Sequence, residues 1–220
     1  MWTTANNWGY VTHTPFKGLR MPRLSHAQAP HFTLDQLRRV LGAATEPYRT
    51  LYWLVAETGM RAGEVCALRW EDVDLANCEV CVQRSTWNGV EHSPKTQAGT
   101  RRFTISAQLA AHLGTRISTT SLVFPSEART ALRPNNILRR HLHPLLASLG
   151  ISRRGLHAFR HAMATLMDTA GVPMKVRQER LGHANAEITM NLYTHPVADA
   201  DRAFATWIGN ELAVGPNGPN

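Results

Sequence analysis

Apolar residues recur at helical spacing along most of the chain. Leu34, Leu37, Val40 and Leu41 make one such stripe, and spacings of three and four place them on a single face of a helix. Thr33 stands where an N-cap belongs, and Gln36, three residues on, completes a capping box. A second helix is expected from near Pro47, through Leu51, Leu54 and Val55, to Thr58-Gly59, since proline is tolerated in a first turn. A third is expected over Arg61–Leu68, followed by a turn at Trp70–Asp74. Further helices are read at about 107–117, 134–148, 155–170, 173–182, 185–194 and 198–212, punctuated by Pro134, Gly150, Gly171 and Pro173.

The period changes between Cys78 and Ile105. Cys78–Gln83 is short and rich in β-formers, Asn88-Gly89 is a hairpin turn signal, and Arg101–Ile105 alternates. The polar stretch Ser93–Gly99 between them carries one lysine, Lys95. The expected fold is therefore mainly α with a small antiparallel β-sheet (α+β), and not a parallel α/β core. Residues 1–30 do not read as a domain: Trp8–Val11 ends a helix, and Pro15, Pro22 and Pro30, with Gly18, Lys17, Arg20, Arg23 and His26, read as an extended basic linker. Residues 214–220 read as a disordered, frayed tail.

Composition narrows the class. Of the 220 residues 43% are hydrophobic and 18% charged, which fits a globular domain with an ordinary core. A formal charge of +8 and a pI of about 10.1 favour a polyanionic partner, nucleic acid first, against the plain alternative of a basic surface. Three cysteines (Cys66, Cys78, Cys81) give no disulfide framework and suit a reducing compartment. Cys78 and Cys81 have CxxC spacing, but neither a second pair nor a His pair completes a zinc site. No apolar run approaches the ~20 residues a membrane span needs, and the N-terminus lacks a signal pattern. A cytoplasmic protein without membrane contact is expected.

Candidate chemistry gathers in a few places. In the helix at 155–170, Leu156, Phe159, Met163, Leu166 and Ala170 form the apolar stripe, whereas His157, Arg160 and His161 fall elsewhere. His157 and Arg160 are neighbours at i, i+3 and can converge on one ligand. Arg61 follows a glycine turn at a helix start, where backbone N–H groups favour an anion, and its planar guanidinium suits phosphate. Glu64, one turn on, is placed to hold it. Leu181-Gly182-His183 ends a helix, and Tyr193 follows. Taken singly, each has a bland reading: a solvated polar face for His157 and Arg160, a surface ion pair for Arg61 and Glu64, and a half-buried tyrosine beside Ile188 and Leu192.

The set in its order reads differently. Thr58–Asp74 with Arg61, Pro94-Lys95-Thr96 followed by Arg101-Arg102, His157-Ala158-Phe159-Arg160-His161, Leu181-Gly182-His183 and Tyr193-Thr194-His195 together resemble the catalytic domain of the tyrosine recombinases, the phage-integrase family. The boxes cover about residues 31–195. The resemblance implies the catalytic-domain fold of that family over 31–213. It also implies a site-specific recombinase or integrase of a phage or mobile element, cutting and rejoining double-stranded DNA through a 3′-phosphotyrosine. Tyr193 is then the nucleophile, and Arg61 and Arg160 bind the non-bridging oxygens. His157 is general base or acid, His183 bonds the phosphate, and Lys95 protonates the leaving 5′-oxygen. Glu64 and His161 support these groups, and Arg101 and Arg102 contact DNA. No cofactor and no metal are expected, because the arginines stand where metal ions act in two-metal nucleases.

The resemblance also implies that 198–212, with Ala203, Phe204, Trp207, Ile208 and Leu212 on one face, docks on a neighbouring protomer in a homo-tetramer on DNA; the alternative is that it folds back on its own domain. Residues 1–30 resemble only the end of a core-binding domain and the linker after it. An N-terminally shortened chain is therefore expected, with weak and salt-sensitive DNA binding. Competing readings are a type IB topoisomerase-like nicking-closing enzyme, a non-catalytic DNA-binding remnant and, more distantly, a metal-dependent nuclease.

Overall fold

The computed structural model of the chain describes residues 2–12, 31–87, 89–92, 100–182 and 194–213, with the backbone alone at 2–3 and 194–199. The basic linker, the Lys95 loop, the helix expected at 185–194 and the tail lie outside the described residues.

In chain order the helices are α1 (Trp2–Asn7), α2 (Leu34–Ala43), α3 (Tyr48–Thr58) and α4 (Ala62–Cys66). The strands β1 (Val73–Asp74), β2 (Glu79–Val82), β3 (Ser85–Trp87), β4 (Val90–His92) and β5 (Arg101–Thr104) follow. Then come α5 (Ala107–Gly114), α6 (Pro134–Ile137), α7 (His143–Ser148), α8 (His157–Thr169), α9 (Met174–Leu181) and α10 (Thr194–Leu212). The expected mainly helical chain with a small antiparallel sheet is the fold observed. No described helix is long and apolar enough to cross a membrane.

The start of α2 follows its local code. Thr33 N donates to Gln36 Oε1 and Gln36 N to Thr33 Oγ1, both at 3.2 Å, and Leu37, Val40 and Leu41 are buried. α3 is the central helix. Leu51, Tyr52, Leu54, Val55 and Ala56 are buried, and the helix packs against α2, α5, α8 and α10. Its Glu57 is also fully buried. The Glu57 carboxylate accepts from Trp53 Nε1 at 2.7 Å and from Ser106 N and Oγ at 2.9 and 2.7 Å. Burial pushes this carboxyl above its usual range despite those bonds. The contact pins α3 to the N-cap of α5, and Ser106 Oγ in turn accepts from Leu109 N.

Several elements differ from expectation. The third helix is only Ala62–Cys66, because the chain turns off at Ala67 to pair Arg69 with Leu122. The Trp70–Asp74 turn is a short 3-10 turn whose last residues join the sheet as β1. Among the described residues there are two sheets: β1-β2-β5, all antiparallel, and the hairpin β3-β4. The segment read as one helix at 134–148 contains a π-helical stretch over Leu138–Leu142 between α6 and α7. On α8, Met167 is buried and Ala170, the last residue of the expected stripe, is exposed.

In the single chain the C-terminal helix takes the second of the two expected positions. α10 is seated on its own domain, with Phe204, Ala205, Ile208 and Leu212 buried. Arg38 Nη2 donates to Glu211 Oε2 at 2.6 Å, and Thr104 N donates to Asp201 Oδ2 at 2.8 Å. In the single chain this apolar face is buried against the domain's own core.

Candidate active site

Arg61 is the N-cap of α4 and stands two residues beyond Gly59. Gly59 caps α3 in the left-handed region at φ 65°, and Gly182 does the same for α9 at φ 61°. Both turns suit glycine, and they bring their chain ends together. A Cβ on Gly59 would lie 3.1 Å from Leu181 Cδ2. α4 itself lies tight on β3, since a Cβ on Gly63 would stand 2.5 Å from the carbonyl oxygen of Thr86.

The Arg61 side chain remains about half exposed. Its Nη1 donates to Glu64 Oε1 at 3.0 Å and its backbone N to Glu64 Oε2 at 2.7 Å. Its Nη2 lies 3.4 Å from the carbonyl oxygen of Gly182. The backbone N–H at this helix start is therefore taken by Glu64, and the guanidinium is what faces outward. Glu64 is buried, and desolvation alone would raise its carboxyl. The hydrogen bonds and charge of Arg101, reinforced by Arg61, overcome this and hold it below the usual carboxylate range.

Arg101 corrects the expectation of paired DNA-contacting arginines. Strand alternation turns Arg101 inward with Phe103 and Arg102 outward. Arg101 Nη1 and Nη2 donate to the two Glu64 oxygens at 3.0 and 2.6 Å, and both side chains are 7% exposed. Its fork is held by the Glu64 carboxylate. Arg102 is exposed and pairs with Glu79 at 2.9 Å.

Arg160 is not on a solvated face either. It is buried, with Nη1 donating to Gly59 O at 2.6 Å and Nη2 to Leu181 O. Burial, then the nearby charges of Arg61 and Arg101, lower it to about 10, so it stays a cation at neutral pH. His157 lies at the rim, exposed, with its ring edge-on to that of His161 at 4.7 Å between centroids. Partial desolvation, then His161, Arg160 and Arg61, lower His157 from its ordinary 6.5. The shift favours the neutral ring. Among the described residues, no three His, Cys, Asp or Glu side chains are grouped to hold a metal ion.

Thus Arg61, Glu64, Arg101, His157, Arg160 and His161, drawn from α4, β5 and α8, form one cationic cluster beside the end of α9. A cavity of about 480 Å³ adjoins it, lined among others by Arg61, Arg84, Trp87, Arg101 and Gly182. Lys95, His183 and Tyr193 lie outside the described residues. Sequence reading passed over Arg84, which donates to Asp72 Oδ2 at 2.6 Å and Glu71 Oε1 at 2.8 Å and so ties the β3-β4 hairpin to the turn before β1. It also passed over Arg180, which shares the inward face of α9 with Val176 at i, i+4; that spacing was the available signal.

The Phage integrase family matches residues 30–199, and the chain belongs to that family. It is 30% identical over 226 residues to a tyrosine recombinase XerC-like protein of Caldanaerobacter subterraneus subsp. tengcongensis, covering 86% of this chain and 58% of that protein. Among solved structures, the Tn1549 transposon integrase in complex with a circular intermediate DNA superposes with a TM-score of 0.70 at 20% identity, covering 94% of this chain and 75% of that one. A lambda integrase tetramer bound to a Holliday junction gives 0.57 at 21% identity, covering 87% and 57%. The chain spans about three fifths of the length of two of the curated relatives it matches, and about half of several others.

Proposed function

We propose that this chain carries the strand-transfer chemistry of a site-specific DNA recombinase. Tyr193 attacks the scissile phosphate, a 3′-phosphotyrosine forms and a 5′-hydroxyl leaves. The observation that carries the reading is the convergence of Arg61, Arg160 and His157 on one site from segments about a hundred residues apart. Burial lowers Arg160 most, and the charges of Arg61 and Arg101 add to it, so the two guanidinium groups are close enough to repel each other. A phosphate between them removes that repulsion, and the added charge of the pentacoordinate transition state does so further. A phenol with a pKa near ~10 needs a proton acceptor at the moment of attack, and the neutral His157 supplies one. His183 bonds the phosphate, and Lys95 delivers the proton to the leaving 5′-oxygen. Glu64 and Arg101 hold Arg61 in place, and His161 buttresses His157. The bond energy stays in the phosphotyrosine, so a 5′-hydroxyl of a second strand reverses the step without ATP, and the two arginines do the work of a metal ion.

Residues 31–213 form the catalytic domain in this reading, and residues 1–30 correspond to the end of a preceding domain with its linker. The substrate is double-stranded DNA, in the cytoplasm. The working assembly on DNA is a homo-tetramer, supported by the likeness to the lambda integrase tetramer. For helix 198–212 to bridge protomers, α10 must first leave its own domain.

The test is covalent trapping on nicked suicide duplexes made from the junctions flanking the gene, with chelator present. A denaturation-resistant protein–DNA band that disappears in Tyr193→Phe supports the reading. A junction that is bound but never joined, even with a core-binding domain fused at the N-terminus, leaves the chain a DNA-binding protein only. Relaxation of supercoiled DNA without recombination would instead favour the nicking-closing reading. The pH profile of trapping gives a second check. With His157 lowered, the acid limb should fall below pH 6.5, move upward in Arg61→Gln as one neighbouring charge is lost, and vanish in His157→Gln.

A further inference from the structure

Arg180 is the largest fully buried side chain of the described residues, and its surroundings are more polar than packing requires. Its Nη1 donates to Asp201 Oδ1 on α10. Its Nη2 donates to Glu57 O at 3.1 Å and Thr104 O at 2.7 Å. Phe103 and Phe204 lie on its guanidinium at 5.7 and 5.4 Å, whereas Nε is buried with no partner among the described residues. Asp201 is held on its other oxygen by Thr104 N. A buried ion pair of this kind is commonly no more stabilising than apolar side chains of the same volume, so stability alone does not account for it.

The contacts continue toward the cationic cluster. The carbonyl oxygen of Arg180 accepts from Arg101 Nε at 3.3 Å. Arg101 holds both oxygens of Glu64, and Glu64 holds the backbone and side chain of Arg61. A chain of polar contacts therefore runs from Asp201 on α10, through Arg180, Arg101 and Glu64, to the outward-facing guanidinium of Arg61. Along the sequence, residues 180 and 201 also bracket the stretch carrying His183 and Tyr193.

We propose that Arg180 and Asp201 are positioning residues: by seating α10 against α9 and β5 they set where the Arg61 guanidinium stands. The role rests on the function proposed above, but the coupling can be read without it. In the full chain labelled with 15N-arginine, Asp201→Asn should move the side-chain Nε signals of Arg180, Arg101 and Arg61, with Arg61 assigned by its loss in Arg61→Lys. A shift confined to Arg180 overturns the proposal. If Asp201→Asn does not fold, Asp201→Glu is used, which keeps the charge and displaces the guanidinium.

On a duplex that the unaltered chain cleaves, Asp201→Asn should slow covalent joining on the order of 10²-fold, the cost of an ångström-scale misplacement. Its Kd for the duplex should not change, and Asp201→Glu should restore part of the rate. An unchanged joining rate in Asp201→Asn overturns the proposal. If the unaltered chain joins no duplex that it binds, the proposed function fails, and the guanidinium signals still decide the coupling.

Discussion

Arg160→Ala should slow formation of the covalent protein–DNA complex by about 10²–10³-fold, the usual loss when one preorganised donor to a developing anion is removed. The expectation follows from where Arg160 sits. Its guanidinium is buried, held by Gly59 O and by Leu181 O, so it is aimed before substrate arrives and loses little freedom on binding. Duplex affinity should fall far less, since exposed arginines and lysines elsewhere supply most non-specific phosphate attraction. Arg160→Lys should be nearly as slow as Arg160→Ala, because an ammonium cannot reproduce a planar fork that bridges two turns. Single-turnover trapping rates, set beside Kd and the denaturation midpoint, check this. A loss of rate tracked by an equal loss of affinity would count against a transition-state role.

Glu64→Ala should lower stability by about 3–5 kcal/mol, the range for removing one member of a buried ion pair. Arg101 would then remain buried with no countercharge. In a domain of this size each kcal/mol moves the midpoint by about 2–4 °C. Glu64 has a folded-state pKa lowered from 4.5, so its contribution is fully present above the unfolded value and is lost as pH falls through the folded one. The gap between unaltered and Glu64→Ala protein should be widest above about pH 5 and should close in acid. Thermal denaturation across pH tests it. The double variant Glu64→Leu with Arg101→Met should recover much of the stability without recovering cleavage, because Arg61 would still lack its support.

Much of this was legible in the chain, and the rest was not for identifiable reasons. The α2 capping box is a four-residue code, and both of its bonds form. The order of Arg61, His157 and Arg160 on short punctuated helices was readable, and the fold brings them together. Arg101 and Arg102 looked alike as adjacent basic residues. Only the pleat separates them, and period-two reading of Arg101–Thr104 would have sent Arg101 inward. β1 escaped notice because two residues carry no alternation and exist as a strand only through β2. Buried Glu57 and Arg180 contradict the usual siting of charge; their burial depends on partners 49 and 21 residues away, Ser106 and Asp201, which no local window contains. The seat of α10 is likewise a choice between equivalent apolar surfaces, and amphipathicity alone does not say whose surface is used.

That seat has a thermodynamic corollary. Each of Phe204, Ile208 and Leu212 gains about 1.5–3 kcal/mol from its burial, and in this arrangement the gain is intramolecular. In this arrangement the melting temperature of the isolated chain should not depend on protein concentration, unlike that of a protein completed only by mass action with its neighbours. Any exchange of α10 between copies would begin from an occupied site and not a vacant one. The unseating of the helix would be a unimolecular step, and only its capture by a second copy would depend on dilution.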